Sequence, residues 1–429
     1  MKKINHIVLI LILCVLFVFV FAYTPLARVA YFPLLGLLLV ISYIFYRRKA
    51  KRDLYTTLFI LLVFIASKLI FRSLDDITLI IRTASITSFF LIHLVLLIGP
   101  WSYFSDKIIK LYEQRRHLGV TVFLLGWLHA SFVLANYFKG SIQNSLSLVF
   151  TFFGYTAFII TLFMALTSWD KVQKKIKLGK WKLIHAVTLL IYLSFVALFF
   201  SLEKSQNLEV TGLEKISIYF FIIFWIIVAP YKHLRIFLRT WIFGWKQLHV
   251  LIYIAYLSLL LHVYEAQIRS QQPWLKVIFF VSAAIVVGSH LAGWIKKFSE
   301  DKKINKKIKQ INKTLNEGNK TYIGIAKEQD FTEGVGQKFY VDKKPIAVFR
   351  NEGKFIALSN ICAHQKGPIY KGKIQYGYVE CPWHYHQFSV KDGKGIPGFD
   401  DCIPYFETKI KDGIVFVATS QSFDCKEGH

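Results

Sequence analysis

The sequence predicts a multi-span α-helical membrane bundle of about ten helices, followed by a small all-β domain. Three observations carry this. The 429 residues are 55% hydrophobic, with a mean hydropathy of +0.44, far above the soluble norm. The apolar residues are concentrated in 1–297 as long runs cut by short charged loops. Beyond about residue 321 the apolar period changes from helical to two. The chain thus divides into a polytopic membrane domain at 1–297, a charged linker at 298–320, a β domain at 321–420 and a tail at 421–429.

A bilayer core of about 30 Å needs roughly 20 apolar residues in helix. Ten stretches meet that need, at about 6–23, 29–46, 54–72, 78–100, 117–138, 146–168, 183–201, 216–231, 247–265 and 275–295. The first has the length of a signal peptide, but further spans follow and no small-residue cleavage site appears, so it reads as a retained helix. The loops set the orientation. With the N-terminus inside, the inner segments hold 21 Lys and Arg and the outer ones 8. Cationic loops stay in the cytoplasm. The expectation is an integral inner (plasma) membrane protein whose N-terminus and C-terminal domain are both cytoplasmic. The formal charge of +27 follows from this loop bias, and nucleic-acid binding is not expected.

The linker "FSEDKKINKKIKQINKTLNEGNK" is strongly charged and reads as partly helical. After it, "FYVDKKPIAVFRNEGKFIALS" alternates as strands with turn signals at Asp342–Lys343 and Asn351–Gly353. "YFETKIKDGIVFVAT" reads as a hairpin about Asp412–Gly413.

Of five cysteines, Cys14 lies in the first apolar run and reads as packing, and Cys402 and Cys425 have no evident partner. No disulfide framework is expected. The remaining two belong to a motif: Cys362-Ala-His364, sixteen residues, then Cys381-Pro-Trp-His384. Two Cys and two His admit a zinc site. Zinc fingers, however, group two Cys in one knuckle and two His in the other. Here each loop gives one of each, which suits a two-iron cluster with both thiolates on one iron and both imidazoles on the other.

This stretch resembles the Rieske [2Fe–2S] family, over about 100 residues. The resemblance implies one [2Fe–2S] cluster, with Cys362 and Cys381 on the inner iron and His364 and His384 on the exposed one. Respiratory Rieske proteins carry two further cysteines that pin the loops and a serine beyond the second His. Gly367 and Trp383 stand near the cysteine positions here, and His386 at the serine position. Fewer hydrogen bonds to the sulfurs imply a lower potential, as in Rieske ferredoxins of oxygenase systems. His386 is not a ligand in that pattern.

Six histidines fall inside apolar segments: His93, His129, His185, His249, His262 and His290. A lone one is as readily a helix–helix hydrogen bond as a ligand, but an ionisable residue in a span is a functional candidate by default. Measured from the inner boundary at 1.5 Å per residue, His129 and His262 lie about 20 Å and about 24 Å deep. The other four lie within roughly 5–12 Å. His117 sits at the boundary. Two layers of imidazoles suit two haems stacked across a bilayer. "WKLIHAVTLLIYLS" from Trp181 is echoed by "WKQLHVLIYIAYLS" from Trp245, with His262 where the first copy has Leu198.

"RRHLGVTVFLLGWLHASF" (115–132) and "ALTSWDKVQKKIKLGKWKLIHAVTLLIYLS" (165–194) resemble the ferric-reductase-like transmembrane domain, over roughly 78–201. This group includes the haem subunit of the bacterial methionine sulfoxide reductase system and is related to NADPH oxidases. The resemblance implies b-type haem, one or two per chain, with His129 and His185 at matching positions. In that family the second ligand helix carries two His thirteen residues apart. Here that pair is His249 and His262, on a later helix. The pairing expected is His129 with His262 for the outer haem, and His185 with His93, His249 or His290 for the inner one.

The relatives draw electrons from flavin and nicotinamide domains. This chain has no G-x-G-x-x-G fingerprint, and the Rieske-like domain stands where electrons would enter. The expected function is an oxidoreductase component. It would pass single electrons from a cytoplasmic donor, a reductase or ferredoxin, through the cluster and haem b to an acceptor at the outer face. Two other classes remain open: a haem-free, membrane-anchored Rieske ferredoxin serving an oxygenase, and a redox sensor.

Overall fold

A computed structural model describes residues 50–70, 72–109, 111–146, 148–168, parts of 187–201, 251–364, 366–397 and 401–422. The helices are α1 (Ala50–Ile70), α2 (Asp76–Trp101), α3 (Tyr112–Asn136), α4 (Val149–Leu166), α5 (Ile252–Val263) and α6 (Pro273–Ile311). Single turns of helix stand at Asp106–Ile109 and Ile142–Ser145, and α5 runs on into a π-helical turn at Tyr264–Ile268. Asp75 caps α2 by accepting the Thr78 N–H at 2.9 Å. Pro273 starts α6, where its missing N–H costs nothing.

Stretches within α2, α3, α4 and α6 are long and apolar enough to cross a membrane, and Leu58–Ile70 and Ile252–Ile268 are shorter apolar helices. The expected spans 6–23, 29–46 and 216–231 lie outside the described residues, and 183–201 is described only in part. Hydroxyls within the helices turn back on their own backbone: Thr87 bonds the Thr83 carbonyl, Thr121 that of His117, Thr156 that of Phe152 and Thr167 that of Phe163. That lets a polar side chain sit in an apolar helix without an orphaned donor.

Two compact units divide the chain: residues 1–95 with 117–283, and residues 96–116 with 284–429. In the first, α4 packs on α5 through a core of Phe152, Phe153, Ala157, Ile160, Leu251, Ile254 and Ala255.

The second unit holds the β domain. One sheet runs β1 (Thr314–Glu317), β2 (Lys320–Lys327), β11 (Ile414–Ala418), β10 (Thr408–Lys411). Another runs β3 (Gln337–Val341), β4 (Lys344–Asn351), β5 (Lys354–Ser359), β9 (Tyr405–Phe406). A small third sheet is β6 (Lys373–Gln375), β7 (Tyr378–Glu380), β8 (Gln387–Ser389). Tight hairpins close at Asp342–Lys343, Glu352–Gly353 and Asp412–Gly413, each pair with positive φ at both positions. That geometry matches the strand twist and explains the Asp and Gly the sequence places there. Ile325, Phe339, Ile346, Val348, Phe355, Val415 and Val417 form the core of the two larger sheets.

Residues 298–311, read from sequence as linker, continue α6 without a break. The reason is visible in the spacing. Ile304 and Ile308 lie one turn apart and pack on the β core. Asp301, one turn earlier, pairs with Lys338 on β3. Lysines occupy much of the remaining surface of this segment.

Candidate functional site

Two loops at one end of the β domain carry the four motif residues, and they are built alike. In the first, the Cys362 N–H donates to the Gly367 carbonyl at 3.0 Å and the Lys366 N–H to the Cys362 carbonyl at 2.9 Å. In the second, the Cys381 N–H donates to the His386 carbonyl at 2.7 Å and the Tyr385 N–H to the Cys381 carbonyl at 2.9 Å. Lys366 and Tyr385 both take positive φ, 62° and 59°. Each loop therefore begins at its cysteine and turns back five residues on, presenting its histidine on the way.

The two cysteines are buried, at 1% and 0% exposure, over a core of Phe349, Leu358, Ile369, Val379 and Phe388. The Cys381 thiol is pushed far up, first by its hydrogen bond with Cys362 and then by burial. The backbone N–H groups of Trp383 and His384 act on the same sulfur in the opposite direction, favouring the thiolate. The His364 and His384 rings stand perpendicular, centroids 4.9 Å apart. Among the described residues no three His, Cys, Asp or Glu side chains converge as a single-ion site. The donors form a thiol pair and an imidazole pair, so the arrangement fits a binuclear centre better than one tetrahedral zinc.

Gly367 makes this approach possible. A Cβ there would lie 2.8 Å from Cys381 Sγ and 3.1 Å from the Trp383 ring. The structure thus brings positions 367 and 383 together, as the comparison with respiratory Rieske loops expects. His386 stacks on His364 with centroids 4.1 Å apart, and Asp401 Oδ2 lies 3.9 Å from its Nδ1. Cys402, next to Asp401, is disulfide-bonded, against the expectation from sequence. The spacing of the cysteines does not disclose that bridge.

Segment 102–116 belongs to the same compact unit. Tyr112 lies flat on Trp383, with centroids 4.1 Å apart and planes 8° from parallel. Such a pair contributes about 0.5–1.5 kcal/mol beyond its buried area. Lys371 Nζ donates to Asp106 Oδ1 at 3.1 Å and to the Ser102 carbonyl at 3.3 Å.

The histidines of the helices fall into two situations. His129 on α3 and His262 on α5 face each other with ring centroids 6.3 Å apart. His129 Nδ1 meets the Ile81 carbonyl at 3.2 Å and His262 Nδ1 the Phe150 carbonyl at 2.8 Å. A carbonyl can only accept, so both Nδ1 atoms carry the proton and both Nε2 atoms keep a lone pair. A Cβ at Gly154 would lie 2.8 Å from the His262 ring, so glycine makes room for it. His93 differs: its Nε2 is 3.0 Å from Tyr256 Oη and its Nδ1 2.7 Å from its own helix at Phe89 O. His290 Nδ1 meets Val286 O at 2.9 Å. His117 is buried. His185 and His249 lie outside the described residues. Tyr256 was not singled out by sequence reasoning. Its signal is the repeated Y-L-S, whose second tyrosine is Tyr256.

The sequence model of the Rieske [2Fe-2S] domain matches residues 321–400. The ferredoxin component of an alkene monooxygenase system from Xanthobacter autotrophicus is 30% identical over 99 residues, 23% of this chain and 81% of that protein. The ferredoxin component of naphthalene 1,2-dioxygenase/salicylate 5-hydroxylase systems from Ralstonia is 35% identical over 77 residues, 18% of this chain and 72% of that protein. Among solved structures, the ferredoxin of carbazole 1,9a-dioxygenase from Nocardioides aromaticivorans matches 22% of this chain and 95% of its own, at 23% identity and a TM-score of 0.21.

Proposed function

Starting from the premise that this chain belongs, through its C-terminal domain, to the Rieske [2Fe–2S] family, we propose that it is a transmembrane electron conduit. It takes single electrons from a cytoplasmic reductase or ferredoxin and passes them through the cluster domain and b-type haem to an acceptor at the outer face. When bound, a [2Fe–2S] cluster supplies one-electron uptake and release, and haem iron supplies the same within an apolar layer. Cys362 and Cys381 would hold the inner iron, His364 and His384 the outer one, and the amides of Trp383 and His384 would steady the Cys381 sulfur.

The observation that carries the haem reading is the His129–His262 pair. Two imidazoles sharing one metal, at bonds of about 2 Å each, hold their centroids roughly 4.5–6.3 Å apart according to the angle between them. The separation here is 6.3 Å. Each ring gives its Nδ1 proton to a backbone carbonyl, the outer support that orients a metal-bound imidazole and leaves Nε2 to the metal. The inner haem rests on His185 with His93, His249 or His290; His93 is already engaged by Tyr256, which favours the other two.

The membrane reading rests on surface chemistry. Ile65, Leu69, Val277, Ile278, Phe280, Val287, Leu291 and Trp294 are exposed along α1 and α6. Water-soluble proteins rarely leave apolar area of that extent open. Lipid covers it at no cost.

The deciding experiment is an optical spectrum of the purified chain, oxidised and then dithionite-reduced, with a haem extraction assay. The expected result is a sharp reduced b-type band and close to two haems per chain. One haem keeps the conduit and removes the inner site. No haem, after expression with ample haem supply, leaves a membrane-anchored ferredoxin for an oxygenase, a class of ferredoxins that the β domain resembles in sequence.

Orientation needs its own test, because two observations oppose each other. The loop charges favour a cytoplasmic β domain. The Cys402 disulfide favours an oxidising side. A reporter fused to the C-terminus should read as cytoplasmic, and Cys402 should react with a thiol reagent only in permeabilised cells after reduction. An outer-face reading would overturn the cytoplasmic donor.

A further inference from the structure

The chain has two kinds of candidate redox site, and something must couple the cluster domain to the helices. Between the ligands Cys381 and His384 stands Trp383, at a position where respiratory Rieske proteins carry a cysteine. Its ring is not simply packed into the β domain. It lies on Tyr112, 271 residues away in sequence, at 4.1 Å and nearly parallel. Tyr112 is the first residue of α3, the helix that bears His129. Arg115, one turn on, stands 5.8 Å from the Tyr112 ring centroid and interacts electrostatically with His290 on α6. All of these except His129 belong to one compact unit.

We propose that the Trp383–Tyr112 stack is the electronic contact between the cluster loop and the helices, and that the Lys371–Asp106 pair holds it in register. The inference rests on the conduit reading above. Trp383 is joined to Cys381 through one proline, so the path from the ligand sulfur to the indole is covalent. From the indole to the phenol it crosses a single stacked contact. Stacked π faces overlap where an edge or a gap would not, and transfer through overlapping orbitals falls off far less than transfer through space. The step moves one electron. With both groups bound, one electron would leave the cluster held by Cys362 and Cys381 and reduce a ferric haem held on the helices, with no bond or proton changing place. Nothing in it requires Tyr112 or Trp383 to be oxidised themselves; they supply the coupling.

The register is held separately from the coupling. Lys371 follows Tyr370 in the short turn that precedes β6 and reaches both Asp106 and the Ser102 carbonyl. A domain docked only by its tether would not need a lysine committed to two acceptors in this segment.

Two measurements on the full-length chain test this. In the first, Asp106→Cys with Lys371→Cys is treated with a short bis-maleimide and read by mobility after protease cleavage. Expected is an internal cross-link, formed with or without cluster or haem. Its absence overturns the docking. In the second, electron transfer from the photoreduced cluster to haem is followed in Tyr112→Ala, Trp383→Ala and Tyr112→Phe. Expected is slowing of at least about ten-fold in both alanine variants, as for other losses of fixed orientation. Tyr112→Phe should keep the normal rate, and each variant should keep the cluster EPR signal and haem band of the parent. Because Trp383→Ala alters a ligand loop, Tyr112→Ala decides the matter. A normal rate in that variant, with both spectra present, overturns the path alone. A parent chain with no b-type band overturns the conduit reading and the path with it.

Discussion

Replacing His129 or His262 with alanine is expected to remove one b-type haem from the chain while leaving the Rieske signal untouched. The two rings sit on different helices, α3 and α5, and meet at 6.3 Å with their Nδ1 protons already given to Ile81 O and Phe150 O. Either ring would hold the iron of a bound haem through its free Nε2, and its loss would leave a cavity in place of that donor. Removing only an outer support of a ligand typically costs about 10–100-fold in affinity, and removing the ligand itself costs more. Haem content per chain should fall by one, and the remaining band, if an inner haem is present, should keep its position. Gly154 provides the finer test. Alanine there places its Cβ 2.8 Å from the His262 ring, so the ring must turn from its present direction. Gly154→Ala should therefore weaken haem retention without touching a ligand. Full haem content in His129→Ala and in His262→Ala would remove the pair from the candidate ligands.

How much of this could be read from the sequence depends on whether the signal was local. The hairpins at Asp342–Lys343 and Asp412–Gly413 were legible because two successive positive-φ residues favour Asp, Asn or Gly at the tip, and the flanking strands alternate. The Rieske-type motif was legible because each loop holds its own Cys and His within three residues. That His129 and His262 lie near each other was legible in part from similar helical depth, and the rings do stand 6.3 Å apart. What the sequence concealed is non-local or masked. Residues 298–311 read as linker because their lysines hide the isoleucine spacing that packs on the β core. The bridge at Cys402 has no spacing rule to announce it. The Tyr112–Trp383 stack joins residues far apart in sequence, and neither has a motif that names the other.

The largest effect of all is expected at Cys362 and Cys381. Serine at either position should abolish the absorbance and EPR signal of the cluster, lowering its occupancy by more than about 100-fold relative to the parent, beyond what loss of an outer support alone costs. Two physical terms act together. The oxygen is a harder and shorter donor, poorly matched to iron that a pair of thiolates would hold. The side chain is also 0–1% exposed within an apolar core, so an unligated hydroxyl there replaces a metal bond with a desolvated polar group. The β domain should lose stability as well, because a bound cluster would tie the two loops together beyond the contacts they already make. His386→Ser separates ligand from neighbour. His386 stacks on His364 but is outside the ligand pattern, so its replacement should keep the cluster. A serine hydroxyl beside the Cys381 loop adds a donor near the sulfurs, and hydrogen bonds to sulfur favour the reduced state, so the midpoint potential should rise. Redox titration by EPR reads both results. Retention of the signal in Cys381→Ser would refute the ligand assignment, and loss of it in His386→Ser would place His386 among the ligands.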